Sequence, residues 1–447
     1  MHSYFARVNL DWEGKYLLEA NFRADGSSRF RPDRRWGFFP SVSAGWRISE
    51  EKFLKDSPVS NLKIRASYGS LGNNAVGNYA SLSTLTDAAY SWNSEKVLAV
   101  YQSAIANSNI TWETTYVADA GIDFGFFKGR LNGTVDYFDK VTDGILISLP
   151  APTVHGTATI PTTNAAMVSN RGIEFTLGWN DSIGDFRYSI NGNFTWVKNK
   201  VEKFKGDDYS LAGTDYIKEG LPINSQYGLR VDRIIQTDED METVMAMIGK
   251  NPDAFAAFGM PQMGDFLYKD LNGDGKIDNN DREIISDGPL PKCSFGLNFS
   301  LGWKGLDFSV LFQGQAGGSR IICSETDGLV PVFRLGRSLN KDIVEGRWYE
   351  GRTDASWPRL LEYSDKRNIR ASDFYLENLS FLKIRNIQLG YTLPAKWTKK
   401  AAMDKVRFYC SLENFFTFTS YRLIDPETSA VDYPTIRQAV FGLNITF

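Results

Sequence analysis

Tyr4-Phe5-Ala6-Arg7-Val8-Asn9-Leu10-Asp11-Trp12, then Glu13-Gly14-Lys15, then Tyr16-Leu17-Leu18-Glu19-Ala20-Asn21-Phe22-Arg23 is the stretch that decides the fold. Tyr4, Ala6, Val8, Leu10 and Trp12 fall on one phase of a two-residue period, and Arg7, Asn9 and Asp11 on the other. After the turn, Tyr16, Leu18, Ala20 and Phe22 repeat the apolar phase against Glu19, Asn21 and Arg23. A helix cannot sort residues this way, whereas a strand points successive side chains to opposite faces. The alternation returns from Trp36 to Arg47, Leu62 to Gly69, Thr115 to Phe126, Leu131 to Lys140, Ile173 to Asn180 and Phe186 to Lys198. It resumes from Phe295 to Lys304, Phe308 to Gln315, Leu382 to Tyr391, Val406 to Glu413 and Ala439 to Phe447, which makes thirteen segments.

Two features turn alternation into a membrane reading. Segment ends are rich in aromatics, among them Trp12, Tyr16, Trp36, Trp46, Trp179, Trp196, Trp303 and Tyr391, as rings at the headgroup level of a lipid-facing wall would be. The connections alternate between tight and long, as in barrels with short periplasmic turns and long outer loops. Tight links fall at Glu13-Gly14-Lys15, Lys128-Gly129, Ser182 to Asp185 and Lys304-Gly305, and moderate ones at Ile48 to Asn61 and Pro394 to Lys405. Long excursions occupy Ser70 to Thr114, Val141 to Arg171, Asn199 to Lys292, Ala316 to Phe381 and Asn414 to Gln438. A soluble sandwich has no reason to keep such parity. The expected fold is therefore all-β, an antiparallel transmembrane β-barrel. Because single-chain bacterial barrels carry an even strand count and an open edge is costly in lipid, further strands are expected upstream of residue 1.

Composition closes off other classes. No run of about 20 uncharged apolar residues exists that would make a spanning helix. A net charge of −3 with both signs scattered lacks the basic stripe of a nucleic-acid surface. Cys293, Cys323 and Cys410 stand far apart, so neither a disulfide framework nor a thiolate metal site is expected. Met1 to Arg7 shows no signal-peptide pattern, which points either to no export or to a missing true N-terminus. Catalysis finds little support: the chain holds only His2 and His155, and acid pairs such as Asp119 with Asp123 or Asp136 with Asp139 read as polar-face residues. Arg7, Asn9, Glu19, Arg23, Arg65, Asp123, Arg187, Asn193 and Arg407 are expected to face the barrel interior.

Several strings, in order, carry a resemblance. They are Arg23-Ala24-Asp25-Gly26-Ser27-Ser28-Arg29-Phe30, Phe39-Pro40-Ser41-Val42-Ser43-Ala44-Gly45-Trp46, Leu62-Lys63-Ile64-Arg65-Ala66-Ser67-Tyr68-Gly69 and Trp112-Glu113-Thr114. Gly121-Ile122-Asp123-Phe124-Gly125-Phe126-Phe127, Glu377-Asn378-Leu379-Ser380-Phe381-Leu382-Lys383-Ile384-Arg385 and Glu413-Asn414-Phe415-Phe416 complete the set. With them the chain, over residues 1–447, resembles the C-terminal part of the SusC/RagA family of TonB-linked outer-membrane proteins of Bacteroidota. The resemblance implies a plugged barrel of about 22 strands, of which early strands, plug and TonB box are not in this sequence. It also implies import of oligosaccharides or peptides across the outer membrane, driven through the TonB system, with a SusD-like surface lipoprotein as cap. Two other readings compete: a soluble or surface glycan-binding or glycan-cleaving β-protein, and an autonomous small pore.

Three groups of residues stand out as sites. Within the expected outer loop 199–292, Asp270-Leu271-Asn272-Gly273-Asp274-Gly275-Lys276-Ile277-Asp278-Asn279-Asn280-Asp281 follows a calcium-loop spacing. Asp270, Asn272 and Asp274 would give side-chain oxygens, Lys276 a backbone carbonyl and Asp281 the closing acid, with the shorter Asp in place of Glu. Calcium there is expected to raise the loop's thermal stability; the competing reading is an Asx-rich turn. Tyr90, Trp92, Tyr209 and Tyr216 in the loops are candidates to stack on sugar rings or to pack against the lipoprotein. Phe441, Leu443, Ile445 and the terminal Phe447 share one face and resemble the last-strand signal read by the barrel-assembly machinery.

Overall fold

The computed structural model describes all residues except 56, 149–161, 206–208, 212–213, 324–331, 334–338, 363–364 and 429–432, with backbone only at 209–211, 332–333 and 401. His155 lies outside the described residues. The chain divides into two compact units, one of residues 1–208, 218–221 and 297–304, the other of 209–217, 222–296 and 305–447.

The first unit is an antiparallel meander of long strands: β1 (His2–Trp12), β2 (Tyr16–Gly26), β3 (Ser41–Arg47), β4 (Val59–Asn73), β5 (Glu113–Phe126), β6 (Leu131–Ile147), β7 (Thr163–Ile183) and β8 (Phe186–Phe204). Each pairs with its neighbour in sequence, and residues 297–303 of β9 (Cys293–Trp303) lie beside β8, where the Ser189 and Ser300 hydroxyls bond at 2.6 Å. The second unit continues the pattern with β10 (Leu306–Ala316), β11 (Phe381–Thr392), β12 (Lys405–Thr419) and β13 (Gln438–Thr446), again antiparallel between neighbours. All thirteen expected segments are strands.

The expected segment from Trp36 to Arg47 is interrupted, because Pro40 has no N–H to give the ladder. The register nonetheless runs through it: Ala24 pairs Phe38, Arg23 and Phe39 exchange both backbone bonds, and Asn21 pairs Ser41. The tight links owe their shape to left-handed residues. Glu13 and Gly14 have φ of 56° and 68°, and Lys304 and Gly305 have 46° and 88°, the two successive positive values that a type I′ hairpin needs.

Several strands run past their expected ends on the long-loop side: β6 to Ile147, β8 to Phe204, and β7 from as early as Thr163. Expectation followed the apolar phase, which fades where the ladder leaves hydrocarbon for water. The change is visible where Arg171 bonds Asp139 at 2.9 Å on the same phase as Ile173 and Tyr137. Below that pair the outer phase is apolar and exposed, as at Tyr137, Val135, Ile173, Leu177, Ile190, Phe194 and Trp196. Rings cluster beside the tight turns, with Tyr16 5.7 Å from Trp12 and 6.2 Å from Trp46, and Phe127 6.2 Å from Trp179.

The excursions are folded. Residues Thr84–Trp92 and Glu95–Ala104 form a hairpin of their own. In the second unit, residues of 229–277, 321–375 and Tyr421 share one apolar core, in which Leu229, Ile235, Val244 and Ile343 are fully buried. Its helix α1 (Asp238–Lys250) starts at a reciprocal capping box between Thr237 and Asp240. The buried Asp265 carboxylate ties its segments together, accepting from Arg359 at 2.6 Å, Asn368 at 3.0 Å and the Gln262 backbone at 2.9 Å.

The two faces of the wall differ in what they tolerate. Leu177→Arg on the outer phase should cost about 2–4 kcal/mol in a lipid-embedded barrel. Asn193→Arg on the inner phase should cost close to nothing. Urea unfolding of the full-length parent in vesicles measures both, and equal costs would contradict this assignment of faces.

Candidate functional site

The inner face of the first unit is built from the polar phase. Arg7 on β1 bonds Glu19 on β2 at 2.6 Å, and Glu19 also accepts from Asn21 at 2.8 Å. On β4, Arg65 bonds Asp119 at 3.1 Å and Asp123 at 3.0 Å, both on β5, and reaches a third carboxylate, Asp136 on β6. It can reach that far because Gly121 lies between them: a Cβ there would sit 2.0 Å from the Asp136 carboxylate and 2.9 Å from the guanidinium. Lys63 stands 3.7 Å from Asp123. These residues, with Asn9, Asp11 and Ser67, border a concavity of about 550 Å³. The surface offers hydrogen bonds and fixed charges to polar cargo. It holds no nucleophile–base pair, and the three acids share one guanidinium.

Asp136 and Asp139 do not form the acid pair imagined from the sequence. Three residues apart on one strand, they point to opposite faces, Asp136 inward to Arg65 and Asp139 outward to Arg171. Arg407 bonds Asp307 in the second unit at 2.9 Å, on the phase opposite exposed Phe408 and Leu389.

A second polar site sits where two of the sequence strings meet. Between β11 and β12 the register shifts from Ile384↔Phe416 to Asn386↔Glu413, which leaves Arg385 unpaired as a bulge. The same shift appears toward β10. A bulge reverses the alternation beyond it, and Lys383 is thereby turned onto the final long loop. There it is buried at 2% exposure, 2.6 Å from Asp425 and 2.5 Å from Glu427. Arg385 binds the other oxygen of Glu427 and reaches Asn414 at 3.3 Å. Asn414 itself has φ of 56°, a conformation Asn tolerates better than most residues. Asp425 also accepts from the Glu427 backbone at 3.1 Å and from Thr435. Burial alone would raise its carboxyl, but the hydrogen bonds from Lys383 and Thr435 outweigh it and hold the group at about 2. Next to this loop, Arg422 is bound by the buried Glu377.

The calcium-like loop is tightly turned. Asp270 accepts from Gly273 at 2.7 Å and Gly275 at 2.8 Å, Asn272 from Asp274 at 2.9 Å, and Asp274 from Lys276 at 2.8 Å. Asp281 is fully buried and accepts from Leu271 at 2.9 Å and Asp278 at 2.8 Å. Those oxygens serve backbone N–H groups, and among the described residues no three acidic, His or Cys side chains converge as a metal site would require.

Tyr90 and Trp92 lie on one face of the 84–104 hairpin, 60% and 69% exposed. Tyr216 stacks on Tyr227 with centroids 4.4 Å apart, while Tyr209 is described only as a backbone partner of Ile217. Phe441, Leu443 and Ile445 share the exposed outer phase of β13, and Phe447 lies one residue past its end.

Residues 1–234 match the family described as TonB dependent receptor-like, beta-barrel. Over its whole length the chain is 31% identical to TonB-dependent receptor P3 of Formosa agariphila, of which it covers 45%. It is 29% identical to TonB-dependent receptor SusC of Bacteroides thetaiotaomicron and covers 43% of that protein. A solved structure titled as the RagAB peptide transporter has the same fold over the whole chain, with a TM-score of 0.81 at 23% identity and 47% of its own chain covered. The chain thus spans less than half the length of the relatives it matches.

Two outcomes follow from the bulge site. Asn414→Gly should be neutral, while Asn414→Val should destabilise by about 1–2 kcal/mol through its left-handed backbone, read by unfolding in detergent. Because the folded Asp425 carboxyl lies below its ordinary value of 3.8, its contribution is complete above that pH and is lost as pH falls toward about 2. Limited pepsin digestion near Tyr421, normalised to a free peptide, should accelerate across that window, and Lys383→Met should abolish the pH dependence.

Proposed function

Since the chain belongs to the TonB dependent receptor-like β-barrel family, we propose that it forms part of the wall and outer loops of an outer-membrane importer energised through the TonB system. The supporting observation is the two-faced wall. Exposed Val8, Leu10, Leu18, Ile122 and Leu177 share one face, and the Arg7–Glu19 and Arg65 carboxylate clusters share the other. A soluble glycan-binding or glycan-cleaving protein would bury the first face, since soluble monomers rarely expose apolar patches beyond a few hundred Å².

The cargo in this reading is an oligosaccharide or a peptide, polar enough to pass the charged inner face, and a SusD-like lipoprotein is the partner at the loop side. Relatives named SusC and a structure titled RagAB peptide transporter support these two classes of cargo. Tyr90 and Trp92, adjacent on one hairpin face, are the contact residues we assign to cargo or cap. Phe441, Leu443, Ile445 and Phe447 are assigned to recognition during barrel assembly.

The test is uptake of labelled oligosaccharides and labelled peptides by cells with and without the full-length parent gene. Loss of one cargo class on deletion and after a protonophore is the expected result. Uptake that survives the protonophore would favour a passive pore and overturn the reading. Trp92→Ala should weaken that uptake about fivefold, from roughly 1 kcal/mol of stacking, with barrel assembly unchanged.

A further inference from the structure

The turn between β2 and β3 reads Arg29-Phe30-Arg31-Pro32-Asp33-Arg34-Arg35. Four guanidiniums stand there with Asp33 as the one acid of the stretch. That acid is 3.5 Å from Arg31 and 3.9 Å from Arg34, and all three side chains stay 40% or more exposed. Arg29 is spent on neutral acceptors, Asn78 at 3.2 Å and the Asn74 carbonyl at 3.0 Å, and Arg34 on Asn109 at 3.2 Å. The Arg35 Nε is buried without a partner. The nearby Asp25 is occupied by Arg23 at 2.7 Å. This is a positive excess on a rigid frame: Phe30 is buried against Trp112 at 5.3 Å, and the Arg35 carbonyl accepts from the Trp112 indole at 3.1 Å.

The same turn runs directly into the wall. Trp36 stacks on Tyr4 at 5.8 Å, Phe38 lies 6.2 Å from Phe22, and with Val42, Tyr68 and Tyr116 they edge a groove of about 870 Å³. That is the size of a small-ligand cleft. All of these rings are exposed. Tyr4 stands eight residues up β1 from Trp12 at the tight turn. At about 3.3 Å per residue and a strand tilt near 40°, that is roughly 20 Å of height. It places the rings close to the upper limit of a hydrocarbon band about 25 Å tall, and the arginines at the headgroup level just above.

We propose that this turn and groove bind a phosphate-bearing lipid of the leaflet on the long-loop side, its phosphate held by Arg31 and Arg34 and an acyl chain lying along Trp36, Phe38, Phe22 and Tyr68. The planar guanidinium fork matches phosphate oxygens in pairs. The acyl chain covers rings that no protein side chain covers. The site rests on the reading of this face as lipid-facing, and the test keeps the two apart.

The full-length parent, extracted from outer membranes in detergent, is weighed intact by native mass spectrometry after addition of diphosphorylated lipid A or of its dephosphorylated form. The wild type should retain the phosphorylated form about tenfold better. The R31Q/R34Q protein should lose that preference, and R130Q, beside Asp181 at the tight-turn end, should keep it. Inorganic phosphate should not displace the lipid. Equal retention of both forms by the wild type, or an unchanged preference in R31Q/R34Q, overturns the inference. Loss of heat-modifiable gel mobility, or recovery of the parent without detergent, would instead overturn the membrane reading beneath it.

Discussion

Hydrocarbon offers no partner to a backbone N–H or C=O, and an unpaired group there costs several kcal/mol. The rest of the wall follows from that constraint. It explains ladders as continuous as Asn73↔Glu113 through Leu62↔Phe124 between β4 and β5. It also explains how Pro40 can sit in a strand: proline brings no donor to orphan, and its carbonyl accepts from Ser70 at 3.0 Å. Where the ladder is broken, at Arg385 and Asn414, the freed polar groups face Glu427 and each other rather than the outer phase.

Magnitudes decide which face holds the wall in register. An exposed ion pair such as Arg7–Glu19 contributes at most about 1 kcal/mol, because its partners are well solvated in either state. A charge moved to the middle of the outer face costs about 2–4 kcal/mol, and a one-residue slip would move every charge of a strand there at once. The inner carboxylates therefore owe their placement mostly to the intolerance of the other face. Gly121 then lets Arg65 collect three of them, which lowers mutual repulsion without altering the register.

Legibility in the sequence tracks this asymmetry. Positions such as Val8, Leu18 and Leu177 alternate because lipid enforces it, so all thirteen strands could be read. The upper ends of β6, β7 and β8 could not, because water on both sides removes the enforcement. The hairpin from Thr84 to Ala104 carried a signal that was passed over: Asn93 and Ser94 are both left-handed, φ 52° and 65°, between two β-rich runs. Thr237 with Asp240 likewise announced a helix start. The shared loop core was illegible for a different reason. Its ties join residues about a hundred apart, as Asp265 to Arg359 and Phe266 to Asn368, and no local period records them. The bulge at Arg385 is the same kind of fact, since it appears only once two neighbouring strands are laid side by side.

That bulge shows why two short strings can recur together without any chemistry between them and a substrate. Lys383 and Arg385 on β11, and Asn414 on β12, are far apart in sequence but adjacent in the ladder. An uninterrupted strand would aim Lys383 at the lipid, at a prohibitive cost. One inserted residue on β11, accommodated by the left-handed Asn414 opposite, turns both cations away from it. Once buried, Lys383 requires anions, because a lone buried charge costs far more than the pair returns. Asp425 and Glu427 supply them from the final loop, and Arg422 to Glu377 adds a second tie beside it. A backbone irregularity in the wall is thus what fixes the position of a loop above it.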